Sequence, residues 1–444
     1  MGNRVMKISK QRKDKAGKKS MHLWEAVSIG IGGMIGAGIF SILGVAIQIS
    51  GNAVYLAFIM AGIVALFSTY SYAKLGARYP SAGGPVEFLI KGFGDNIISG
   101  GFNILLWIGY VFALALYARA FASYAMTFFP NAHHIYLNVF ATGIILLFTA
   151  VNFIGSKAVG ESELFIVTIK VGILILFSLI GFFSITPSLL SPEHWPSVNN
   201  VLFAAAVVFL AYEGFGLITN AAEDMEDPKK TLPRALFLSV VVTIMIYVGV
   251  SLTVVGNLPI SEIVKARDYA LAEAAKPFLG MVGFKIITIA ALFSTSSAIN
   301  ATLYGAANVS YIIAKDGELP KGFDRKVWGR AMEGLFITAG LVLIFANFLD
   351  LEGISMLGSS AFLLIYAAVN FAHLRIYTET NASPYVIWIS IIGCLASFGV
   401  LAYYEIKHSP LTLVVLVLVL GGSFMSEWIY RKKTSRTLKS KTFP

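Results

Sequence analysis

Apolar runs of about 20 residues recur along the whole chain, and about 20 apolar residues is the length a helix needs to cross the hydrocarbon of a bilayer. Twelve such runs are centred near Ile35, Leu66, Ile108, Ile145, Leu174, Val207, Met245, Leu292, Leu341, Phe362, Ile392 and Leu416. A segment inside lipid has no water to satisfy its backbone, so each run reads as a helix. The expected fold is an all-α polytopic membrane protein with twelve transmembrane helices and no soluble domain. Composition agrees, because 57% of the 444 residues are hydrophobic and only 13% are charged, about half the share usual in soluble domains.

The net charge of +10 invites a nucleic-acid partner, but the distribution of the basic residues argues against one. With the amino terminus placed inside, the inner segments hold 27 of the 34 lysines and arginines. The outer segments hold only Lys265, Arg267, Lys276, Lys285 and Lys407, while Arg119 and Lys170 fall within spans. Such asymmetry is a topology signal. It predicts a multi-pass protein of the cytoplasmic membrane with both termini cytoplasmic, surrounded by lipid and free of nucleic acid; it leaves the oligomeric state open. The basic stretch Arg4 to Lys19 followed by an apolar run mimics a signal peptide, but that run is long, glycine-rich and lacks a small-residue cleavage pattern. Cys394 is the only cysteine, so neither an internal disulfide nor a cysteine-based metal site is expected, and the six histidines show no metal-ligand spacing.

Connections are mostly short, as in a bundle of antiparallel neighbours. Two are longer. The outer segment Asn257 to Lys285 carries a pattern over Ser261 to Glu273 that predicts one interfacial helix and a possible lid, and an inner loop runs from Lys315 to Arg330.

Two spans are interrupted. The first reads Ser28-Ile-Gly30-Ile-Gly32-Gly33-Met34-Ile-Gly36-Ala37-Gly38-Ile-Phe40, a glycine density that weakens a helix and lets backbone approach a ligand. Close helix packing through Gly32 and Gly36 is the plainer explanation. The sixth reads Phe209-Leu210-Ala-Tyr212-Glu213-Gly214-Phe-Gly216, an acid beside two glycines at mid-membrane depth. Breaks in spans five apart are what an inverted five-helix repeat predicts, with the binding site at the breaks. An unwound turn frees amides on the half-helix that starts there and carbonyls on the half that ends there. Amides near Gly36, Ala37 and Gly38 suit a carboxylate. Carbonyls of Met34 and of the Leu210 to Glu213 stretch, which includes Tyr212, suit an ammonium, so the site fits an amino-acid zwitterion.

Three charged residues lie inside spans. Lys170 stands alone in the apolar run Leu164 to Gly181, and an intramembrane charge is by default a functional hypothesis. Its stem can also snorkel to an interface. Glu213 either faces the pathway as a proton carrier or is a neutral acid hydrogen-bonded into the bundle. Arg119, late in the third helix, reads as snorkelling or paired.

These features resemble the amino acid, polyamine and organocation (APC) transporter superfamily from about Leu23 to Arg431. Three inner-side signatures match in order: Tyr72-Ala-Lys74-Leu-Gly-Ala-Arg-Tyr-Pro80-Ser-Ala-Gly83-Gly84-Pro85, Glu223-Asp-Met-Glu-Asp-Pro228-Lys229-Lys-Thr-Leu-Pro233-Arg234-Ala235, and Ala314-Lys315-Asp316-Gly317-Glu-Leu-Pro320. The chain is most similar to the archaeal proton-coupled, broad-specificity amino acid transporters of that group, which also carry a lysine at the place of Lys170. The resemblance implies a LeuT-like fold: a first repeat over 23–186, a second over 199–377, and two further helices over 383–431, with cytoplasmic tails at 1–22 and 432–444. It implies carboxylate binding at Gly36-Ala37-Gly38 and ammonium binding at the carbonyls of Met34, Leu210 and Glu213. It further implies that the Lys170 ammonium fills the place of a coupling cation, near carbonyls around Gly32 and the hydroxyls of Ser294 and Ser297. Protons are then the coupling ion and no cofactor is needed. Three positions depart from the family pattern. Ala37 replaces a frequent hydroxyl residue, Gly216 stands where many members place an acid, and Lys74 stands where many have glutamate.

The expected activity is proton-coupled import of neutral amino acids by alternating access, with an amino acid or polyamine exchanger as the alternative. A transport-inactive receptor is disfavoured by the lack of a large signalling extension. A membrane enzyme is disfavoured because no nucleophile with a nearby base emerges at the breaks.

Overall fold

The computed structural model describes residues 21–36, 38–154, 159–315, 326–327 and 331–434. Among these, ten helical segments are long and apolar enough to cross a membrane. The first, Leu23–Arg78, is divided by the short turn Gly51–Ala53 and holds two traverses, and the 16-residue apolar helix Glu333–Phe348 supplies another. Twelve spans result. They are Leu23–Met34 with Gly38–Ser50, Val54–Arg78, Ile97–Met126, Ile135–Ile154, Val159–Phe182, Val198–Val208 with Leu217–Asn220, Pro228–Asn257, Lys276–Lys315, Glu333–Phe348, Leu351–Arg375, Pro384–His408 and Pro410–Thr434. Eleven of the expected centres fall within a helix, and that of the first span, Ile35, falls at its break. A two-residue ladder, Lys326–Val327 with Ala331–Met332, is the one strand pairing among the described residues.

Local chemistry sets many of the boundaries. Asn96 starts the third span by accepting from the amides of Ile98 and Ser99 at 2.8 and 3.1 Å, and Asp350 starts the tenth by accepting from Gly353 at 2.9 Å. These side chains replace the partners that the first turn of a helix lacks. Pro228 and Pro384 open the seventh and eleventh spans at the position where a missing N–H costs nothing. Gly280, at φ 60°, kinks the eighth helix, so its apolar traverse starts at Met281.

Burial sorts the spans into two layers. The apolar windows of the sixth and tenth spans are 83% and 89% buried, and those of the fourth and twelfth only 22%. The first, third, sixth and tenth spans therefore form the interior, and the outer ones present leucine, isoleucine and phenylalanine outward as a lipid-facing surface requires. The interruptions fall in the first and sixth spans, at corresponding places of two five-span units with two spans after them, which is the LeuT-like arrangement.

The inner signatures pack around the end of the sixth span. Gly84 has φ +46°, and a Cβ there would lie 2.2 Å from Asn220 Oδ1 and 2.6 Å from Thr219 Oγ1, so only glycine fits. Met21, just before the first span, pairs with Met225 of the second signature and donates its amide to Asp224 at 2.9 Å. The third signature lies outside the described residues beyond Lys315, as do most of the inner loop to Arg330, the tail before Met21 and the tail after Thr434.

The outer segment corrects one expectation. Ser261 to Glu273 does not form one interfacial helix but three short pieces, Ile260–Lys265, Arg267–Tyr269 and Ala270–Glu273. The Arg267 carbonyl lies against Gly44, where a Cβ would come within 1.8 Å of it, so the chain bends to follow the outer half of the first span. The Arg267 guanidinium reaches Gln48 and Glu352 at 3.2 Å and Asp350 at 3.5 Å. Burial works against its charge, but Asp268, Glu352 and Asp350 outweigh that cost and raise its pKa further. Charge pairing at three points, not amphipathic periodicity, shapes this segment.

Candidate functional site

The break in the first span is short. The inner half ends at Met34, Ile35 leaves helical geometry at ψ 22°, and the outer half begins at Gly38. Ala37, the expected middle of the carboxylate turn, lies outside the described residues. The glycines on either side touch other spans. A Cβ on Gly36 would sit 2.6 Å from Ala298 Cβ of the eighth span, and one on Gly38 would sit 2.9 Å from Ala211 Cα and 2.6 Å from the Tyr247 hydroxyl. One turn earlier, a Cβ on Gly214 would meet the Gly33 carbonyl carbon at 2.4 Å. Packing is therefore part of what these glycines do: the first and sixth spans meet backbone to backbone, through Gly33 and Gly214.

The sixth span is interrupted differently from expectation. Instead of an open turn, Phe209–Gly216 forms a 3-10 helix of eight residues, longer than the three or four such helices usually sustain. Side chains from neighbouring spans hold it. Ser359 Oγ of the tenth span donates to the Val207 carbonyl at 2.6 Å and accepts from the Leu210 amide at 3.0 Å. Tyr366 donates to the Glu213 carbonyl at 2.7 Å, and the Tyr212 hydroxyl donates to the Phe58 carbonyl at 2.8 Å. Tyr247 of the seventh span lies 2.5 Å from the Met34 carbonyl and 3.0 Å from the Ala211 carbonyl. Two of the carbonyls expected to receive an ammonium, those of Met34 and Glu213, thus already accept from tyrosines.

Lys170 and Ser294 approach the first span from two sides. Lys170 is 3% exposed, and its ammonium donates to the Gly32 carbonyl at 2.9 Å. Its head points into the bundle rather than snorkelling to an interface. Ser294 Oγ of the eighth span lies 2.7 Å from the Ile35 carbonyl and 3.0 Å from that of Gly36. Ser297, three residues on, is half-buried and does not join these bonds. The carbonyls of Gly32, Met34, Ile35 and Gly36 are thereby divided between a lysine, a tyrosine and a serine.

The Glu213 carboxyl is 2% exposed and turns toward the third span, where Oε1 accepts from the Tyr117 hydroxyl at 3.0 Å; Oε2 has no hydrogen-bond partner among the described residues. Arg119 follows the paired reading, donating to Asn138 Oδ1 at 2.8 Å. Lys74 donates to the Asn381 carbonyl at 3.2 Å, which ties the second span to the loop before the eleventh. No group of three or more metal-ligating side chains occurs among the described residues.

Four contributors, Tyr117, Tyr247, Ser359 and Tyr366, escape a reading of the sequence. Buried tyrosine hydroxyls need partners, which marks them as candidates, but nothing in the local pattern tells which of 19 tyrosines points at a break.

Comparison with known proteins places this geometry. The model of the amino acid permease family matches residues 21–422. An uncharacterized protein of Methanocaldococcus jannaschii is 47% identical over 96% of this chain and 98% of its own length. The inner membrane transport protein YbaT of Escherichia coli is 37% identical over 92% of this chain and 95% of its own. The methylthioribose transporter of Bacillus subtilis is 26% identical over 96% of each. The Escherichia coli and Bacillus subtilis relatives and the family model describe transporters and permeases rather than enzymes. With interrupted first and sixth spans, the inner signatures and a family match over nearly its full length, the chain belongs to the amino acid permease family of the APC superfamily.

Proposed function

We propose that this protein is a proton-coupled symporter that imports neutral amino acids across the cytoplasmic membrane by alternating access, with both termini cytoplasmic. One observation carries the coupling: the buried Lys170 ammonium holds the Gly32 carbonyl within a turn of the break in the first span. A charge-assisted bond of this kind is roughly twice as strong as a neutral one. While Lys170 keeps its proton, the inner half of the first span is clamped to the fifth. When the proton leaves, the clamp weakens and that half-helix is released to move, so proton binding and access are linked beside the break itself. Ser294 holds the Ile35 and Gly36 carbonyls from the eighth span, so proton loss loosens one side only.

The substrate reading rests on the breaks. Amides at Gly36, Ala37 and Gly38 receive the carboxylate, and the carbonyls of Met34, Leu210 and Glu213 receive the ammonium. Because Tyr212 spends its hydroxyl on Phe58, it contributes its ring. Ala211, Phe209 and Phe215 make the surroundings apolar, which suits neutral side chains.

The test is a substrate screen on purified protein in liposomes with an imposed pH gradient, including neutral and cationic amino acids, polyamines and methylthioribose. Accumulation of neutral amino acids driven by the gradient supports the proposal. Equal counterflow with and without the gradient assigns an exchanger instead, and binding without movement assigns a receptor.

A further inference from the structure

Tyr247 belongs to neither expected part of the site, yet its hydroxyl sits at the centre of both breaks. It is fully buried and lies 2.5 Å from the Met34 carbonyl of the first span and 3.0 Å from the Ala211 carbonyl of the sixth. It is also the atom nearest to where a Cβ on Gly38 would be, at 2.6 Å. It therefore stands between the Met34 carbonyl that ends one half-helix, the Ala211 carbonyl inside the 3-10 stretch, and Gly38, which starts the next half-helix.

A phenol has one proton to give, and both neighbours are carbonyls that can only accept. At most one of the two contacts is a full donation at any moment, so the hydroxyl cannot serve both carbonyls equally. An ammonium has three N–H groups and a full charge. Placed at the same point it would serve both carbonyls at once, with bonds of the stronger, charge-assisted kind. The arrangement is thus poorer than the one a substrate amine would make, and the difference favours displacement.

We infer that the Tyr247 hydroxyl occupies the position of the substrate ammonium, joining the two breaks until an amine displaces it. Tyr247 is then a positioning residue that makes binding depend on the substrate's amine. This rests on the proposal that a zwitterion binds at the breaks. A compound with the carboxylate but no amine cannot replace the hydroxyl and so gains nothing from these carbonyls. The phenol oxygen is fixed on the ring axis, so displacement requires the ring, packed on Phe58 and Tyr212 at centroid distances of 5.2 and 5.3 Å, to tilt away with it.

Tyr247→Phe tests this because it keeps the ring packing and removes the competitor. Equilibrium binding is measured on purified protein in nanodiscs with neutral L-amino acids and with the matching deaminated carboxylic acids. Displacement predicts that the variant binds the amino acid about twofold to tenfold more tightly, the span of one net hydrogen bond, with the affinity for the deaminated acid unchanged. Amino-acid affinity unchanged or weakened would show that Tyr247 is a structural clip and overturn the inference. A wild type that binds none of the amino acids removes the zwitterion reading, and the inference with it. If the variant cannot be purified, 3-fluorotyrosine incorporated at Tyr247 gives a second readout. Its fluorine resonance shifts on adding the amino acid but not the deaminated acid if displacement occurs, and an equal response to both, or none, overturns it.

Discussion

Lys170→Met separates coupling from packing. Methionine keeps an unbranched stem of similar length and deletes the ammonium, so the change removes the 2.9 Å donation to Gly32 while leaving the apolar contacts of the fifth span largely in place. A hydrogen bond from a charged group contributes about 1.5–3 kcal/mol, and leaving the Gly32 carbonyl without that donor costs a similar amount. The variant should therefore be weakened but folded. Transport changes far more. A gradient of one pH unit is worth about 1.4 kcal/mol per proton, so a symporter moving one proton per amino acid sustains a concentration ratio of about tenfold per pH unit. If Lys170 is the proton carrier, the variant should bring internal and external substrate to equality and stop, while still exchanging labelled for unlabelled amino acid. Lys170→Arg should fail to accumulate for the opposite reason, since guanidinium does not give up its proton. The assay is uptake of labelled amino acid into liposomes at a fixed pH gradient, with protein folding checked by its unfolding midpoint. A folded methionine variant that still accumulates about tenfold per pH unit would refute the reasoning and leave Lys170 as a packing residue.

Other expectations follow from the same geometry. Glu213→Gln keeps the backbone carbonyl and the hydrogen bond from Tyr117, so gradient-driven accumulation should persist; its loss, together with persistence in the lysine variant, would move the coupling role to Glu213. Gly214→Ala should destabilise the protein by about 1–3 kcal/mol through overpacking against Gly33, read as a lowered unfolding midpoint, and an unchanged midpoint would mean that the two spans separate readily. In a Cys394→Ala background, an impermeant thiol reagent added outside sealed cells should label a cysteine placed at Ser191 and spare one placed at Ser435; the reverse would invert the topology.

Much of this fold is written in residue type alone. The centres at Phe362 and Leu416 fall inside their helices because a lipid-facing or buried helix needs only sustained apolarity, and the break near Gly36 is visible because glycine marks where a helix yields. Ser294 is singled out only by the family resemblance, since residue type alone does not tell which hydroxyl faces the first span. The 3-10 stretch at Phe209–Gly216 was not legible as such. Its tightening depends on Ser359 and Tyr366, some 150 positions away in sequence, and no local pattern carries that information. The same holds for the outer segment, where Arg267 reaches Asp350 and Glu352 and overrides an amphipathic repeat. Ser297 stays apart from the bonds of Ser294: the i, i+3 spacing puts the two on one face, but a shared face does not guarantee a shared partner.

The central claim is that substrate and proton cross together, and simultaneous recording of both is its most direct test. Purified protein is reconstituted into liposomes holding a pH-sensitive dye, with no imposed gradient, and a neutral amino acid is added outside. The account predicts that the interior acidifies as the amino acid enters, in fixed proportion to its uptake, and that the acidification is absent with Lys170→Met. Amino acid entry at the wild-type rate with no change of internal pH would contradict it.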